Sequence, residues 1–277
     1  MPKISLYITH SLISDDLFLK DKNTIVIDVL RTSTTITVSL FNKAKEVIPA
    51  ESVAKAAKLK RSSGETLLCG EKNGKIIPGF NLGNSPLEYN ENTVKGKILV
   101  FCTTNGTISI VKSRLSKNCI IGSFINLEKV VDYISTLRED LIILCSGKQN
   151  NFSLEDFICA GALIKEIIKK ENSDISYELN DAEISALTLA ECLIYDDNKI
   201  NEEKVLKLLQ STEHGKYLTN LGFTKDIEVC SGINTYPILP VFYKDVIKLK
   251  EQFELENSQR QQMKKIDLTG KSKESKT

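Results

Sequence analysis

The polar loop over residues 71–89 is the segment of the chain best suited to binding chemistry. It is rich in glycine, which lets backbone N–H groups come close to a ligand, and in proline, which fixes the path of the chain. Its carboxylate, amide and hydroxyl side chains can serve an anion or a cation, and they belong to Glu71, Asn73, Asn81, Asn84 and Ser85. The loop is therefore predicted to form part of a binding site.

A second polar cluster follows the apolar run of residues 25–27. Asp28 ends this run, and Arg31 is followed by four hydroxyl residues, 32–35. Asp28 could hold a metal ion, and Arg31 could bind a phosphate through two N–H groups. An Asp–Arg pair, with Ser or Thr capping the next helix, explains the same residues, and spacing alone does not decide between the two interpretations.

Two later strand ends have similar chemistry. Residues 103–107, Thr-Thr-Asn-Gly-Thr, follow an apolar run and could bind phosphate with hydroxyls and helix N–H groups, or could simply cap a helix. Ser146 and Gly147 follow another such run, and the adjacent acids Glu155 and Asp156 come soon after. Magnesium prefers one or two carboxylates, but acids also stabilise a first helical turn. Both explanations stay open at these two positions.

The histidines and cysteines give weaker evidence for a catalytic or metal site. His214 could donate a proton, although a lone histidine in an amphipathic helix is also explained as a surface or capping residue. The seven cysteines show no Cys-x-x-Cys pair and lie mostly in or beside apolar runs. With His10 as the second of two histidines, they favour reduced core residues over a zinc site or disulfides.

The elements that must position these clusters alternate along the first 170 residues. Predicted strands cover 25–29, 46–49, 66–70, 98–102, 119–122 and 141–145. Predicted helices cover 33–44, 52–62, 105–116, 126–137 and 153–170. This alternation is typical of an α/β fold, a mostly parallel sheet flanked by helices in three layers. Because parallel strands end at the same edge, the polar clusters should meet there.

After residue 171 the pattern becomes mainly helical, with predicted helices over 181–195, 201–210, 211–221 and 242–255. We therefore divide the chain into an α/β phosphate-binding subdomain over 1–150 and a second, smaller, helix-rich subdomain over 151–255 packed on it. Residues 256–277 are charged and poor in apolar side chains, which predicts a disordered tail.

Charge and hydropathy narrow the class of partner. The 277 residues include 37 Lys and Arg against 36 Asp and Glu, a formal charge of +1 that would not steer the protein to nucleic acid. No apolar run approaches the roughly 20 residues of a membrane-spanning helix, and the N-terminus lacks the apolar stretch of a signal peptide. We expect a cytoplasmic protein with a small-molecule partner and no nucleic-acid or membrane partner. A homo-oligomer is compatible with the sequence, which does not decide the oligomeric state.

Taken together, the motifs resemble the 2-phosphosulfolactate phosphatase family. The specific part is Gly-Glu-x-x-Gly at 70–74 with Gly-Phe-x-x-Gly-Asn-Ser-Pro at 79–86, and segments 27–35, 103–107, 122–126 and 155–161 match more weakly. The resemblance spans roughly residues 4 to 250. It departs at Lys72, Asn81 and Ser33, where family members often have Arg, Asp and Ala.

The resemblance implies a phosphoric monoester hydrolase that uses Mg²⁺ to convert 2-phospho-3-sulfolactate, a small phosphorylated organic acid, to 3-sulfolactate, a step associated with coenzyme M biosynthesis. The expected catalytic residues are Asp28, Arg31 and Glu71, and the expected magnesium ligands are Asp28, Glu71, Glu155 and Asp156. The expected substrate-binding residues are Arg31, Thr32, Asn73, Asn84, Ser85, Thr103, Thr104, Asn105, Gly106, Ser146 and Gly147.

Further anion contacts, the nucleophile and the alternative functions can also be predicted. Lys72, Lys75 and Lys148 are further candidate anion contacts. We expect water rather than Asp28 to attack phosphorus, because enzymes that form an aspartyl phosphate place a second acid where this chain has Leu30. The alternatives are a phosphatase or phosphotransferase for another phosphorylated hydroxy acid, and a non-catalytic protein that binds phosphorylated metabolites.

Overall fold

The computed structural model describes residues 1–60, 65–170, 177–256 and 258–259. Within these ranges the strands are β1 (Ile4–Tyr7), β2 (Asn23–Ile27), β3 (Glu46–Pro49), β4 (Thr66–Lys72), β5 (Lys75–Ile76), β6 (Ile98–Cys102), β7 (Asn118–Gly122), β8 (Leu141–Cys145), β9 (Tyr195–Asp196), β10 (Lys199–Ile200), β11 (Pro240–Tyr243) and β12 (Val246–Leu249). The α-helices are α1 (Thr32–Phe41), α2 (Val53–Leu59), α3 (Glu91–Val94), α4 (Gly106–Lys112), α5 (Leu127–Leu137), α6 (Leu154–Lys170), α7 (Asp181–Ile194), α8 (Glu202–Ser211), α9 (Glu213–Asn220) and α10 (Thr224–Ser231). Residues 250–256 are helical as well.

The main sheet has the strand order β1-β8-β2-β7-β11-β12-β3-β6-β4-β5. The pairs β1–β8, β8–β2, β2–β7, β3–β6 and β6–β4 are parallel, and the β11–β12 hairpin joins these two parallel blocks through antiparallel pairs. The predicted α/β fold with a mostly parallel sheet is confirmed. All six predicted strands are present, because strands such as β6 and β8 are apolar runs buried at every residue.

The predicted helix over 242–255 is wrong over residues 242–249, which belong to strands β11 and β12. Their two-residue turn, Lys244-Asp245, has φ of 49° and 63°, a geometry that matches the twist of paired strands. Val241 pairs with Ile120 of β7, and Ile247 pairs with Val47 of β3. The helix was predicted because the apolar residues of this segment have helical spacing. The segment instead pairs with strands that are distant in the sequence, and such pairing leaves no local signal.

Residues 151–255 therefore supply helices α6 to α10 and also two strands near the centre of the main sheet. The subdomain boundary at residue 150 stays a prediction. Within the predicted tail over 256–277, the structure describes residues 256, 258 and 259, and the rest of that prediction lies outside the described residues.

Helix α1, predicted over 33–44, is buried along residues 32–40. Two of its hydroxyls donate to carbonyls of the helix itself, Thr37 Oγ1 to Ser33 and Ser39 Oγ to Ile36, both at 2.8 Å. Those of Thr34 and Thr35 donate to the Val29 and Asn84 carbonyls outside it, both at 3.0 Å, so these hydroxyls cost little to bury. Helix α1 contacts β3, β7 and β11, and α4 contacts both β2 and β3. Because β2 and β3 are four places apart in the sheet, the sheet curves around these helices. That curvature brings the carboxyl ends of β2, β4 and β6 together.

Helices pack together beside the sheet, near the edge where these strands end. Helix α6 packs on α5 and α7, and α8, α9 and α10 pack on one another. Gly161 allows α6 and α7 to cross closely, since a Cβ there would lie 2.0 Å from the Ala186 carbonyl oxygen. No helix in the described ranges is both long and apolar enough to cross a bilayer.

Candidate active site

A cavity of about 470 Å³ lies where β2, β4, β6 and β8 end. Its walls come from the segments that follow these strands and from helix α9. The crevice beyond the carboxyl ends of parallel strands is where α/β proteins bind their ligands. The cavity is therefore the candidate active site.

Asp28, directly after β2, lines the cavity and is 7% exposed. Its Oδ1 accepts a hydrogen bond from the Thr32 backbone N–H at 3.1 Å. Burial raises the pKa of the Asp28 carboxyl, as does the charge of Glu71, while hydrogen bonds from Thr32 and the charge of His214 act in the opposite direction. Burial is the largest of these effects, so the pKa of Asp28 is raised overall, and its charged form is disfavoured unless positive charge lies beside it.

Arg31 lines the cavity from the start of α1, after a cis Leu30–Arg31 peptide bond. Its Nη1 donates to Asp226 Oδ2 at 2.5 Å, and its Nη2 donates to the Gly74 carbonyl at 3.1 Å. The guanidinium carbon lies 4.3 Å from the centre of the Phe223 ring. Arg31 thus pairs with Asp226 of α10, rather than with Asp28 as the structural interpretation of the sequence had it.

Glu71 connects the loop after β4 to the segment after β6. Its Oε1 accepts from the Thr104 backbone N–H at 2.8 Å, and its Oε2 accepts from the Gly74 N–H at 2.6 Å. The preceding residue, Gly70, has φ of 135°, and a Cβ there would lie 1.8 Å from the Cys102 carbonyl oxygen. Only glycine allows this approach, so it fixes Glu71 at the cavity wall.

Two buried polar atoms of cavity residues lack a hydrogen-bond partner within the described part of the chain. They are Asn84 Oδ1 and Thr104 Oγ1. An unsatisfied buried polar atom is costly, so such atoms in a cavity wall indicate a polar ligand or water. The hydroxyl can donate to an anion, and the amide oxygen can accept from a hydrated cation.

The predicted substrate and catalytic residues divide between the cavity wall and the layer behind it. Those that line the cavity are Asp28, Arg31, Thr32, Glu71, Asn73, Asn84, Thr104 and Asn105. Three others support them: Ser85 Oγ donates to Asp226, Thr32 Oγ1 donates to Thr103 Oγ1 at 3.2 Å, and Gly106 leaves room for Asp28. Ser146 and Gly147 lie outside the lining residues that the structure describes.

Glu155 and Asp156, in the first turn of α6, are buried outside the cavity lining. Asp156 Oδ1 accepts from the Val29 N–H at 2.9 Å and Oδ2 from the Gly147 N–H at 3.2 Å. Burial, together with the charges of Asp28 and Glu155, raises the pKa of Asp156 well above its ordinary value.

Of the four predicted magnesium ligands, only Asp28 and Glu71 therefore line the cavity. In the described ranges no three metal-ligating side chains form a cluster. Two carboxylates are too few for a cation that takes all its ligands from the protein. They are enough for a cation that keeps several water ligands.

A sequence model of the family described as 2-phosphosulpholactate phosphatase matches residues 7–245. The chain belongs to this family. A relative named "Probable 2-phosphosulfolactate phosphatase" from Caldanaerobacter subterraneus subsp. tengcongensis is 35% identical over 252 residues, which cover 90% of this chain and 99% of the relative.

Relatives of the same name from Thermotoga maritima and Clostridium novyi are 37% and 36% identical over 230 and 242 residues. These matches cover 83% and 87% of this chain, and 93% and 97% of the relatives. The family expected from the motifs is confirmed, and so is the class of enzyme, since the family takes its name from a phosphoric monoester hydrolase activity.

Sequence reasoning missed part of this family member's cavity. Lys148, one of three candidate lysines, lines it, whereas Lys72 and Lys75 do not, among the residues that the structure describes. The missed residues include Gln149, Glu213, Tyr217 and Leu218, and His214 had no decided role. Residues 213, 214, 217 and 218 share one face of α9, a spacing that could have indicated a common surface.

Proposed function

We propose that the chain hydrolyses 2-phospho-3-sulfolactate to 3-sulfolactate and phosphate, as a step of the coenzyme M biosynthesis type. The proposal rests on one observation: the same cavity is lined by the guanidinium of Arg31 and by the carboxylates Asp28 and Glu71. A phosphate ester needs fixed positive charge on its oxygens and a means of offsetting further charge as the ester bond opens. The names of the relatives support the choice of substrate.

Arg31 is suited to hold the phosphate oxygens. An arginine has five N–H donors, and the bonds to Asp226 and Gly74 use two of them. The pairing with buried Asp226 fixes the guanidinium plane, so little side-chain entropy is lost when an anion binds. The Thr104 hydroxyl, buried in the same wall, is a further donor.

Magnesium is part of the proposal, with Asp28 and Glu71 as its ligands. Mg²⁺ prefers one or two carboxylates completed by water and substrate phosphate, which this pair can provide. Burial, and to a lesser extent the charge of Glu71, raises the pKa of Asp28, and a divalent cation beside the carboxyl would favour its charged form. When bound, the ion would supply a Lewis acid that neutralises charge on the phosphate. Glu155 and Asp156 are left out of this ligand set, because they lie behind the wall.

Water is the proposed nucleophile. It forms the new bond to phosphorus while the bond from phosphorus to the substrate oxygen breaks. Rapid-quench trapping of phosphate on Asp28 would overturn this choice in favour of an aspartyl phosphate. A cytoplasmic setting belongs to the proposal too, and the free thiols of all seven cysteines support it.

The test is phosphate release from a panel of phosphorylated hydroxy acids that includes 2-phospho-3-sulfolactate, with EDTA and with Mg²⁺. We expect release that EDTA abolishes and Mg²⁺ restores, fastest with the sulfonated substrate. Asp28→Asn should lose this activity, and Asp132→Asn, at a half-buried position of α5 outside the cavity lining, should keep it.

Three different outcomes would each contradict one part of the proposal. Release that is insensitive to EDTA would exclude the metal. A faster reaction with another phosphoester would change the substrate. Tight binding of the panel without phosphate release would identify a non-catalytic binder.

A further inference from the structure

His214 and Glu155 form a pair at the cavity wall that the roles above do not use. His214, on α9, lines the cavity, and its side chain is 18% exposed. Its Nδ1 lies 3.1 Å from Oε1 of Glu155, whose side chain is 2% exposed. A buried carboxylate thus holds a histidine at the edge of the candidate active site.

The contact fixes which edge of the imidazole reaches the cavity. Nδ1 turns toward Glu155, which is behind the lining, so the opposite edge of the ring, with Nε2, faces the cavity. Burial alone would raise the pKa of Glu155, but the hydrogen bond and charge of His214, together with hydrogen bonds from the Glu155 backbone and the Ser153 side chain, lower it overall. With Nδ1 turned to Glu155, Nε2 is the ring nitrogen placed to exchange a proton with a ligand in the cavity.

We propose that His214 is the general acid that protonates the leaving oxygen, and that Glu155 is a positioning residue that orients the His214 ring. The inference rests on the proposed phosphatase function. Water bonds to phosphorus, the phosphorus–oxygen ester bond breaks, and its electron pair stays on the substrate oxygen, which takes the Nε2 proton to become the hydroxyl of the product. The proton released by the attacking water restores the imidazolium, so protons balance over one turnover.

A general acid is needed here because the leaving group is an aliphatic alkoxide, a strong base. Proton donation to such a group typically accelerates a reaction by about 10²–10⁴-fold. A p-nitrophenolate leaving group is stable as an anion and does not need the proton. The two kinds of ester therefore separate a general acid from a residue that only maintains the shape of the cavity.

The experiment compares His214→Gln with the unaltered chain on 2-phospho-3-sulfolactate and on p-nitrophenyl phosphate. We expect kcat for the aliphatic ester to fall by about 10²–10⁴-fold, with a fall of less than about tenfold for the aryl ester. Equal losses on both substrates would overturn the assignment, because a distorted cavity slows both. Retention of activity on both would overturn it as well.

Glu155→Gln provides a second variant, which keeps a hydrogen-bond acceptor near Nδ1 but removes the charge. We expect the same selective loss in kcat, smaller than that of His214→Gln and with KM little changed. Lys216→Gln, at an exposed position of the same helix, is the matched control and should leave both reactions unchanged. Equal losses on both esters in Glu155→Gln would refute the positioning role.

The proposed function fails in a different way from this inference. If the unaltered chain released phosphate from no aliphatic ester, the phosphatase proposal would fail, and the assignment of His214 with it. If the unaltered chain is active and the selective loss is absent, only the general-acid role is refuted.

Discussion

Arg31 and Asp226 are 195 positions apart in the chain and form a buried ion pair, with Nη1 and Oδ2 2.5 Å apart. The Ser85 hydroxyl donates to the other Asp226 oxygen at 2.7 Å. One carboxylate on α10 thus connects the start of α1 to the loop over residues 71–89. A guanidinium that lines the cavity is held by a residue outside its lining, in the part of the chain that the structure describes.

Removal of the Asp226 carboxylate should destabilise the fold and weaken substrate binding. Asp226→Ala leaves the Arg31 charge buried without its partner, a change that costs about 3–5 kcal/mol. Ser85→Ala deletes one hydrogen bond to the same carboxylate and should cost about 1 kcal/mol. Urea unfolding measures both, and equal costs would show that the ion pair does not stabilise the fold. In material that stays folded, KM for the phosphoester should rise.

Gly106→Ala should disable the site with a limited loss of stability. A Cβ at this position would lie 2.3 Å from Asp28 Oδ2 and 2.4 Å from Thr32 Cβ, so Asp28 must move. A displacement of about 1 Å in a catalytic group can cost roughly 10²-fold in rate.

Gly96→Ala is the control for this prediction. Gly96 has φ of 72° with no heavy atom within 4 Å of the added Cβ, so the variant is strained away from the cavity. It should lose stability and keep kcat. A Gly106→Ala enzyme with unaltered kcat would mean that Asp28 tolerates displacement.

Stability should depend on pH through Asp156. Burial raises the pKa of Asp156, so the folded chain keeps a proton that the unfolded chain releases above about pH 4. The free energy of unfolding therefore falls as pH rises from about 4 through the raised pKa. Asp156→Asn removes this titration, so its stability relative to the unaltered chain should increase with pH over that window.

Urea unfolding in EDTA, from acidic to neutral pH, measures that difference. In Asp156→Asn the Val29 or Gly147 N–H loses its acceptor, which lowers the free energy of unfolding by an amount that does not vary with pH. The slope of the stability difference against pH, and not its size, therefore tests the pKa of Asp156. Asp28 and Glu155 interact with Asp156 through their charges, so the pH dependence of the difference includes their response to the loss of the Asp156 charge. Parallel stability curves would contradict the prediction.

Glu71→Gln should weaken the response to magnesium. The substitution retains an oxygen for the Thr104 or Gly74 N–H and removes the negative charge. The Mg²⁺ concentration for half-maximal activity should rise by at least about tenfold. Glu88→Gln is a matched control, because Glu88 accepts from the Gly83 N–H at 2.6 Å in the same loop and does not line the cavity within the described residues. An equal change in both variants would remove Glu71 from the ligand set.

The sequence was informative where the physical signal is local. Apolar runs such as 98–102 and 141–145 predicted their strands, because full burial requires apolar side chains at every position. Asp28, Glu71 and Thr104 were predicted to share a site, because each follows a strand of a mostly parallel sheet, and all three line the cavity.

Features that depend on distant parts of the chain left no such signal. Asp226 looks like an ordinary acid in the first turn of a helix, and its role depends on how α10 packs. The hydroxyls of α1 gave no sign that the helix would be buried, because partners such as the Asn84 carbonyl and the Ser123 hydroxyl lie far away in the sequence. Glu155 and Asp156, in the first turn of α6, lie outside the cavity lining, and how α6 packs on the sheet likewise leaves no local signal.

The position of β11 and β12 has a consequence for biosynthesis. Strands β7 and β3 have no direct pairing in the described sheet, and the hairpin over 240–249 is what connects their two blocks. During translation the sheet can be completed only after residue 249 has left the ribosome, although α1 and α4 contact strands of both blocks. We expect the pulling force on a translation-arrest sequence to peak only in chains long enough to expose this hairpin, and an earlier single peak would contradict that.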